Sequence, residues 1–128
     1  MFGLQIKYLS FFFGLISILS FFNIIYSYYF NLYLNLDTYY LSLFLSLILA
    51  ILFYSLKKSS KKTSIFQKIL TVFLGYILLP LILSIPFYLS IYNLTFINSF
   101  FEAVSGFTST GFTIFENIKH IDQSLILW

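Results

Sequence analysis

The chain has 128 residues, of which 60% are hydrophobic and 9% charged, and its net charge of +3 is the balance of seven basic residues, all lysine, and four acidic ones. An ordinary soluble domain carries roughly a quarter charged residues, so this chain cannot cover a water-facing surface and reads as an integral membrane protein. Its lysines gather in one loop, which points to membrane topology and away from nucleic acid, and the lack of cysteine removes disulfides, thiolate metal sites and thiol catalysis.

The first apolar segment runs from about Lys7 to Phe30. It is too long for the roughly 7–15-residue core of a signal peptide, and no small-residue cleavage site follows, so it predicts a retained membrane helix. A second segment spans about Tyr39 to Leu56 and a third about Ile69 to Tyr92. Each is near the ~20 residues that cross a bilayer as a helix. None alternates apolar and polar residues as a barrel strand would. Between the second and third lies Lys57-Lys58-Ser59-Ser60-Lys61-Lys62-Thr63-Ser64, with Lys68 close by. Lysines beside membrane helices mark a cytoplasmic loop. The connection Asn31 to Thr38 has no lysine and carries Asp37, as expected outside, so the N-terminus with Lys7 is expected inside. The chain divides accordingly into an N-terminal helix pair (1–56), a cytoplasmic basic loop (57–68) and a helix–pore-loop unit (69–128). Pro80 and Pro86 in the third segment are expected to be tolerated kinks. Asn93-Leu94-Thr95 matches a glycosylation acceptor, a tripeptide frequent by chance.

Phe96 to Val104 is apolar but too short to cross a bilayer, and it runs into Ser105-Gly106-Phe107-Thr108-Ser109-Thr110-Gly111-Phe112-Thr113. This is a run of small, hydroxyl-bearing and glycine residues in a chain otherwise rich in Phe, Leu, Ile and Tyr. Unpaired peptide groups in hydrocarbon cost several kcal/mol each, so such a loop is tolerated where it lines water or coordinates something. A hydroxyl-rich run with glycine after a half-length helix is how an ion selectivity filter is built, with backbone carbonyls replacing the ion's hydration shell. The half-helix, about Asn98 to Ser105, is expected to dip in from the outer face, and the filter run to climb back out. Thr108, Ser109, Thr110 and Gly111 are the expected carbonyl donors, with Gly111 at a positive φ. Gly106 is expected to end the half-helix and reverse the chain. Phe112 is expected to pack sideways and hold the loop's width. Glu102, an acid in an apolar stretch, is expected to support the loop by accepting hydrogen bonds from its backbone or from a neighbouring helix.

Ile114 to Gln123, with Glu116, Lys119, His120 and Asp122, reads as an outer, solvated connection. Ser124 to Trp128 reads as the first turn of a further membrane helix with an interfacial Trp. Gly106 to Gly111 has the spacing of a phosphate loop, but Phe112 and Thr113 follow instead of Lys and Ser/Thr, so that match fails. No nucleophile–base pairing stands out, and the chain is not expected to be an enzyme or to hold a cofactor.

From Asn98 to Thr113 the chain resembles the first pore loop of the Trk/Ktr superfamily of potassium transporters, most closely the TrkH/TrkG branch, whose pattern there is near F-E-A-x-S-G-[FL]-T-T-T-G-[AF]-T. Ile121 to Trp128 is similar to that family's lead-in to its next helix. Two helices ahead of the first helix–pore–helix unit also fit the branch. Ser109 stands where threonine is usual, and Gln123-Ser124 stand where the family has a proline. The resemblance implies an all-α integral membrane fold, with three transmembrane helices, a re-entrant half-helix with its filter loop, and the start of a further helix. It implies potassium uptake across the cell's inner or plasma membrane, potassium being the transported substrate, held through the carbonyls of Ser109 and Thr110 in particular. It implies as partners the remaining transporter repeats or further copies of the chain, and a cytosolic TrkA-like nucleotide-binding regulatory subunit. On this reading the chain supplies one quarter of a filter. A small membrane assembly protein without transport of its own, and a non-functional remnant of a split transporter gene, are the alternatives.

Overall fold

The computed structural model describes residues 6–55 and 64–128, and among them every regular element is helical. In chain order these are α1 (Ile6–Tyr29), α2 (Leu36–Ser55), α3 (Ile65–Leu83), α4 (Ile85–Tyr88), α5 (Phe96–Phe107), a 3-10 turn (Ile118–His120) and α6 (Gln123–Leu127). Three stretches, Tyr8–Tyr29, Leu36–Ser55 and Ile65–Tyr88, are long and apolar enough to cross a membrane, as in a multi-pass membrane protein.

The helices extend further into polar flanks than their apolar runs suggest. α2 begins at Leu36, so that Asp37 lies in its first turn, where a carboxylate complements the exposed amides. α3 begins at Ile65 because the Gln67 side chain reaches back to the Ser64 amide (3.2 Å). Of the expected basic loop, residues 57–63 lie outside the described residues, and Lys68 is exposed on α3. The third span ends at Tyr88, short of Tyr92, and is broken at Ser84. Pro86 has no N–H to offer the carbonyl one turn back, so the ladder is interrupted there while Pro80 stays within α3.

α1 and α2 lie antiparallel, matched at both ends by Ser10 Oγ donating to the Ala50 carbonyl (2.8 Å) and by the Tyr28–Tyr40 hydroxyl pair (3.1 Å). The turn between them is a Schellman cap. Asn31 sits at φ 55°, and the amides of Asn31 and Leu32 return to the carbonyls of Tyr28 and Ser27. Small residues line the seam: Ser17, Ser20 and Ser27 of α1 and Thr38, Ser42 and Ser46 of α2 are all buried. Such residues let helix backbones approach closely where the surroundings are as apolar as the side chains. Their hydroxyls mostly turn back on their own helix, Ser20 to Ile16 (2.9 Å), Ser42 to Thr38 (2.9 Å) and Ser46 to Leu43 (3.0 Å). α1 also meets α3 through a core of Leu9, Phe13, Ile16 and Leu79, onto which Phe53, Phe107 and Trp128 pack. Phe13 and Phe53 stack with centroids 5.5 Å apart. Large apolar side chains such as Phe11, Phe22, Phe44, Ile51 and Phe73 face outward, a surface suited to lipid and not to water.

Ser42→Leu is expected to lower stability by about 1–3 kcal/mol through overpacking of the α1–α2 seam, whereas Ile51→Leu on the outward face is expected to be neutral. Thermal unfolding of the two variants in detergent checks this. Equal melting temperatures would count against the seam as described.

Candidate functional site

α5 starts at a true cap: Thr95 has extended dihedrals and its hydroxyl accepts the Asn98 amide (3.3 Å). The threonine of the Asn93-Leu94-Thr95 tripeptide thus serves as a helix cap. α5 is 12 residues long, about 18 Å at 1.5 Å per residue and so a little over half of a bilayer's hydrocarbon thickness.

The end of α5 departs from expectation. The helix continues through Gly106 to Phe107, and the chain reverses at Ser109, three residues later than Gly106. Ser109 has φ 56°; its amide returns to the Gly106 carbonyl (3.1 Å) and that of Thr110 to the Ser105 carbonyl (3.0 Å). This is the Schellman pattern, with serine where glycine is usual. A non-glycine residue in the left-handed region costs roughly 1–2 kcal/mol. Gly106 therefore has no turn to make, and the left-handed glycine is Gly111 at φ 75°, as expected.

Beyond Ser109 the chain runs back along α5, and two side chains of the helix hold it. Ser105 Oγ donates to the Phe112 carbonyl (2.5 Å) and is met by Thr110 Oγ1 (3.1 Å). One oxygen of Glu102 accepts from both the Thr113 hydroxyl (2.7 Å) and the Ile114 amide (2.5 Å). Glu102 thus meets the loop backbone directly, and so does Ser105, which stands at the expected end of the half-helix and to which the sequence assigns no role. The signal that could have found it is its spacing, one helical turn beyond Glu102 on α5. Phe112 is 71% exposed in the single chain, and its backbone carbonyl makes the fastening to Ser105.

Across the segment expected to coordinate a cation, φ changes sign at each residue. It is −90° at Thr108, +56° at Ser109, negative at Thr110 and +75° at Gly111. All peptide bonds here are trans, so a carbonyl points opposite to the amide that follows it. Because the Ser109 and Thr110 amides point back to α5, the Thr108 and Ser109 carbonyls point away from it. No hydrogen bond among the described residues ends on the carbonyls of Thr108, Ser109, Thr110 or Gly111, and all four residues are exposed. Among the described residues no group of three or more His, Cys, Asp or Glu is placed to hold a metal ion.

The connection after the loop is not solvated throughout. Asp122 is buried, with Oδ1 accepting the Ser124 amide and Oδ2 the Asn35 side-chain amide (both 3.0 Å). It is the N-cap of α6. Tyr39 bonds the Ser124 hydroxyl (2.8 Å) and Asn23 donates to the Ser124 carbonyl (3.0 Å). Trp128 is half-buried: its indole N–H donates to the Leu83 carbonyl (2.9 Å) at the helix break, beside Tyr39. His120 is exposed. Asn23 Oδ1 and Ser27 Oγ are buried without a partner among the described residues.

Neither a family model, nor a curated protein, nor a solved structure matches this chain.

Glu102→Ala is expected to raise the exchange rate of the Ile114 amide at least tenfold, while Glu102→Gln, which keeps an acceptor oxygen, retains most of the protection. Hydrogen exchange resolved by mass spectrometry in detergent would distinguish the two. Equal protection in both variants would remove Glu102 from its supporting role.

Proposed function

We propose that this chain is part of a Trk-type potassium transporter and supplies one quarter of its selectivity filter. The observation that carries the reading is the alternating sign of φ from Thr108 to Gly111, together with four carbonyls that accept no hydrogen bond among the described residues, those of Thr108 and Ser109 pointing away from α5. Outward-facing carbonyl dipoles replace the hydration shell of a cation without adding fixed charge. The hydroxyl-rich resemblance from Asn98 to Thr113 points the same way.

In this reading α5 is a re-entrant half-helix, entering from the outer face and pointing its partly negative C-terminal end toward the ion. Thr108, Ser109, Thr110 and Gly111 offer backbone oxygens, with Ser109 and Thr110 closest to potassium. Glu102 and Ser105 hold the loop from behind, and Phe112 faces a neighbouring unit. The lysine-rich loop lies in the cytoplasm, the N-terminus with it, and the membrane is the cell's inner or plasma membrane. A single quarter does not enclose an ion, so the filter is completed by further repeats or further copies. A TrkA-like nucleotide-binding subunit on the cytosolic side is the matching regulator.

The test is cation flux through the assembled transporter that contains this loop, in cells lacking their own potassium uptake. Gly111→Ser, which puts a side chain at φ 75°, is expected to lower potassium-over-sodium preference at least tenfold at unchanged abundance. Flux with unchanged preference would refute the filter assignment.

A further inference from the structure

We propose that Asn35 is a positioning residue: it clasps the two stems of the α5 loop unit to the N-terminal helix pair and so sets where the loop sits. That this position tunes ion selection rests on the filter reading above; the clasp itself does not.

Asn35 is 1% exposed and uses both ends of its amide. Its oxygen accepts the Ile91 amide (3.3 Å), on the stem that leads into α5. Its nitrogen donates to Asp122 Oδ2 (3.0 Å), on the stem that leaves the loop. The two stems are also tied to each other by Tyr92, whose hydroxyl accepts the Asp122 amide (2.7 Å) and donates to the His120 carbonyl (3.3 Å). Asn23 and Tyr39 add bonds from α1 and α2 to Ser124 on the same stem. The α5 unit is therefore gripped where it begins and where it ends by residues of the first helix pair.

The chemistry suits an amide, whose donor and acceptor sit on two separate atoms. Only a side chain with a donor and an acceptor at one terminus can meet a backbone N–H on one side and a carboxylate on the other. Asp122 lies buried, and the charge of its carboxylate is met by N–H donors, from Asn35 and from Ser124. Removing the Asn35 amide leaves a buried acceptor short of a partner, a loss larger than that of one exposed hydrogen bond. A charge exchange preserves every contact. In the double variant Asn35→Asp with Asp122→Asn, the carboxylate at position 35 accepts from Ile91 and from the new amide at position 122. The oxygen of that amide still caps α6, since Asn caps helices as well as Asp does.

The experiment is hydrogen exchange on the purified chain in lipid nanodiscs, read separately for the stems (90–93 and 120–125), the loop (109–114) and the α1–α2 helices. In Asn35→Asp and in Asp122→Asn, stem and loop amides are expected to exchange at least tenfold faster together, with α1 and α2 unchanged. The double variant is expected to return within threefold of the parent. Loop exchange that stays within twofold while the stems loosen, or a double variant no better than the worse single one, would overturn the proposal. Asn35→Leu gives a stronger perturbation; should it fail to fold, the single and double exchanges decide alone. In the assembled transporter, Asn35→Asp is expected to shift cation preference and the double variant to restore it. Coupled exchange without a shift in preference would uphold the clasp and count against the filter reading instead.

Discussion

A peptide group that leaves a helix loses its partner in the helical ladder, and the shape of residues 108–114 follows from how far α5 replaces those partners. The amides of Thr108, Ser109, Thr110 and Ile114 and the Phe112 carbonyl are taken up by α5 itself. The Ser105 and Gly106 carbonyls receive the Thr110 and Ser109 amides, Ser105 Oγ holds the Phe112 carbonyl, and Glu102 holds Ile114. Among the described residues the carbonyls of Thr108 to Gly111 accept no hydrogen bond and the amides of Gly111 to Thr113 donate none, while the Thr108 and Ser109 carbonyls face away from the helix. From Thr108 to Thr110 the amides thus face the helix, and the Thr108 and Ser109 oxygens face away from it. φ alternates in sign from Thr108 to Gly111, with one serine and one glycine in the left-handed region.

Serine at position 109 is the costlier of the two. It holds a left-handed conformation without glycine's freedom, and the surrounding bonds must offset roughly 1–2 kcal/mol. Residues kept in sparsely populated dihedrals persist only where neighbouring contacts over-determine them. Here those contacts come from Glu102 and Ser105, one turn apart on the same helix, so α5 and the loop form a single unit. That unit is in turn held at its stems by Asn35, Tyr92 and Asp122.

Much of this was legible in the sequence, and the failures share a cause. The three long helices follow from apolar runs near bilayer length, and Gly111 follows from its place in a hydroxyl-rich run. Helix limits were misjudged wherever polar residues join a first turn: Leu36 and Asp37 for α2, and Ser64 to Gln67 for α3. Gly106 drew the helix end too early because a glycine marks a possible terminus, whereas the actual reversal depends on bonds made further along. Asp122 was read as solvated because it stands among other charged residues. Its burial depends on Asn35, 87 positions away, and no local pattern carries that distance. Asn23 and Asn35 were the available clue, as isolated amides in apolar stretches seldom lack partners.

The seam between α1 and α2 bears on how such a chain is made. The hydroxyls of Ser17, Ser20, Ser42 and Ser46 are satisfied by carbonyls of their own helices, so each helix enters the bilayer carrying little polar debt before it has met a neighbour. Asn23, Asn35 and Asp122 differ, since each finds a partner in a part of the chain synthesised much earlier or later. The hydrogen bonds thus fall into two sets: those a helix makes to itself, and those between the α5 stems and the first hairpin, which can form only once both parts of the chain have been synthesised.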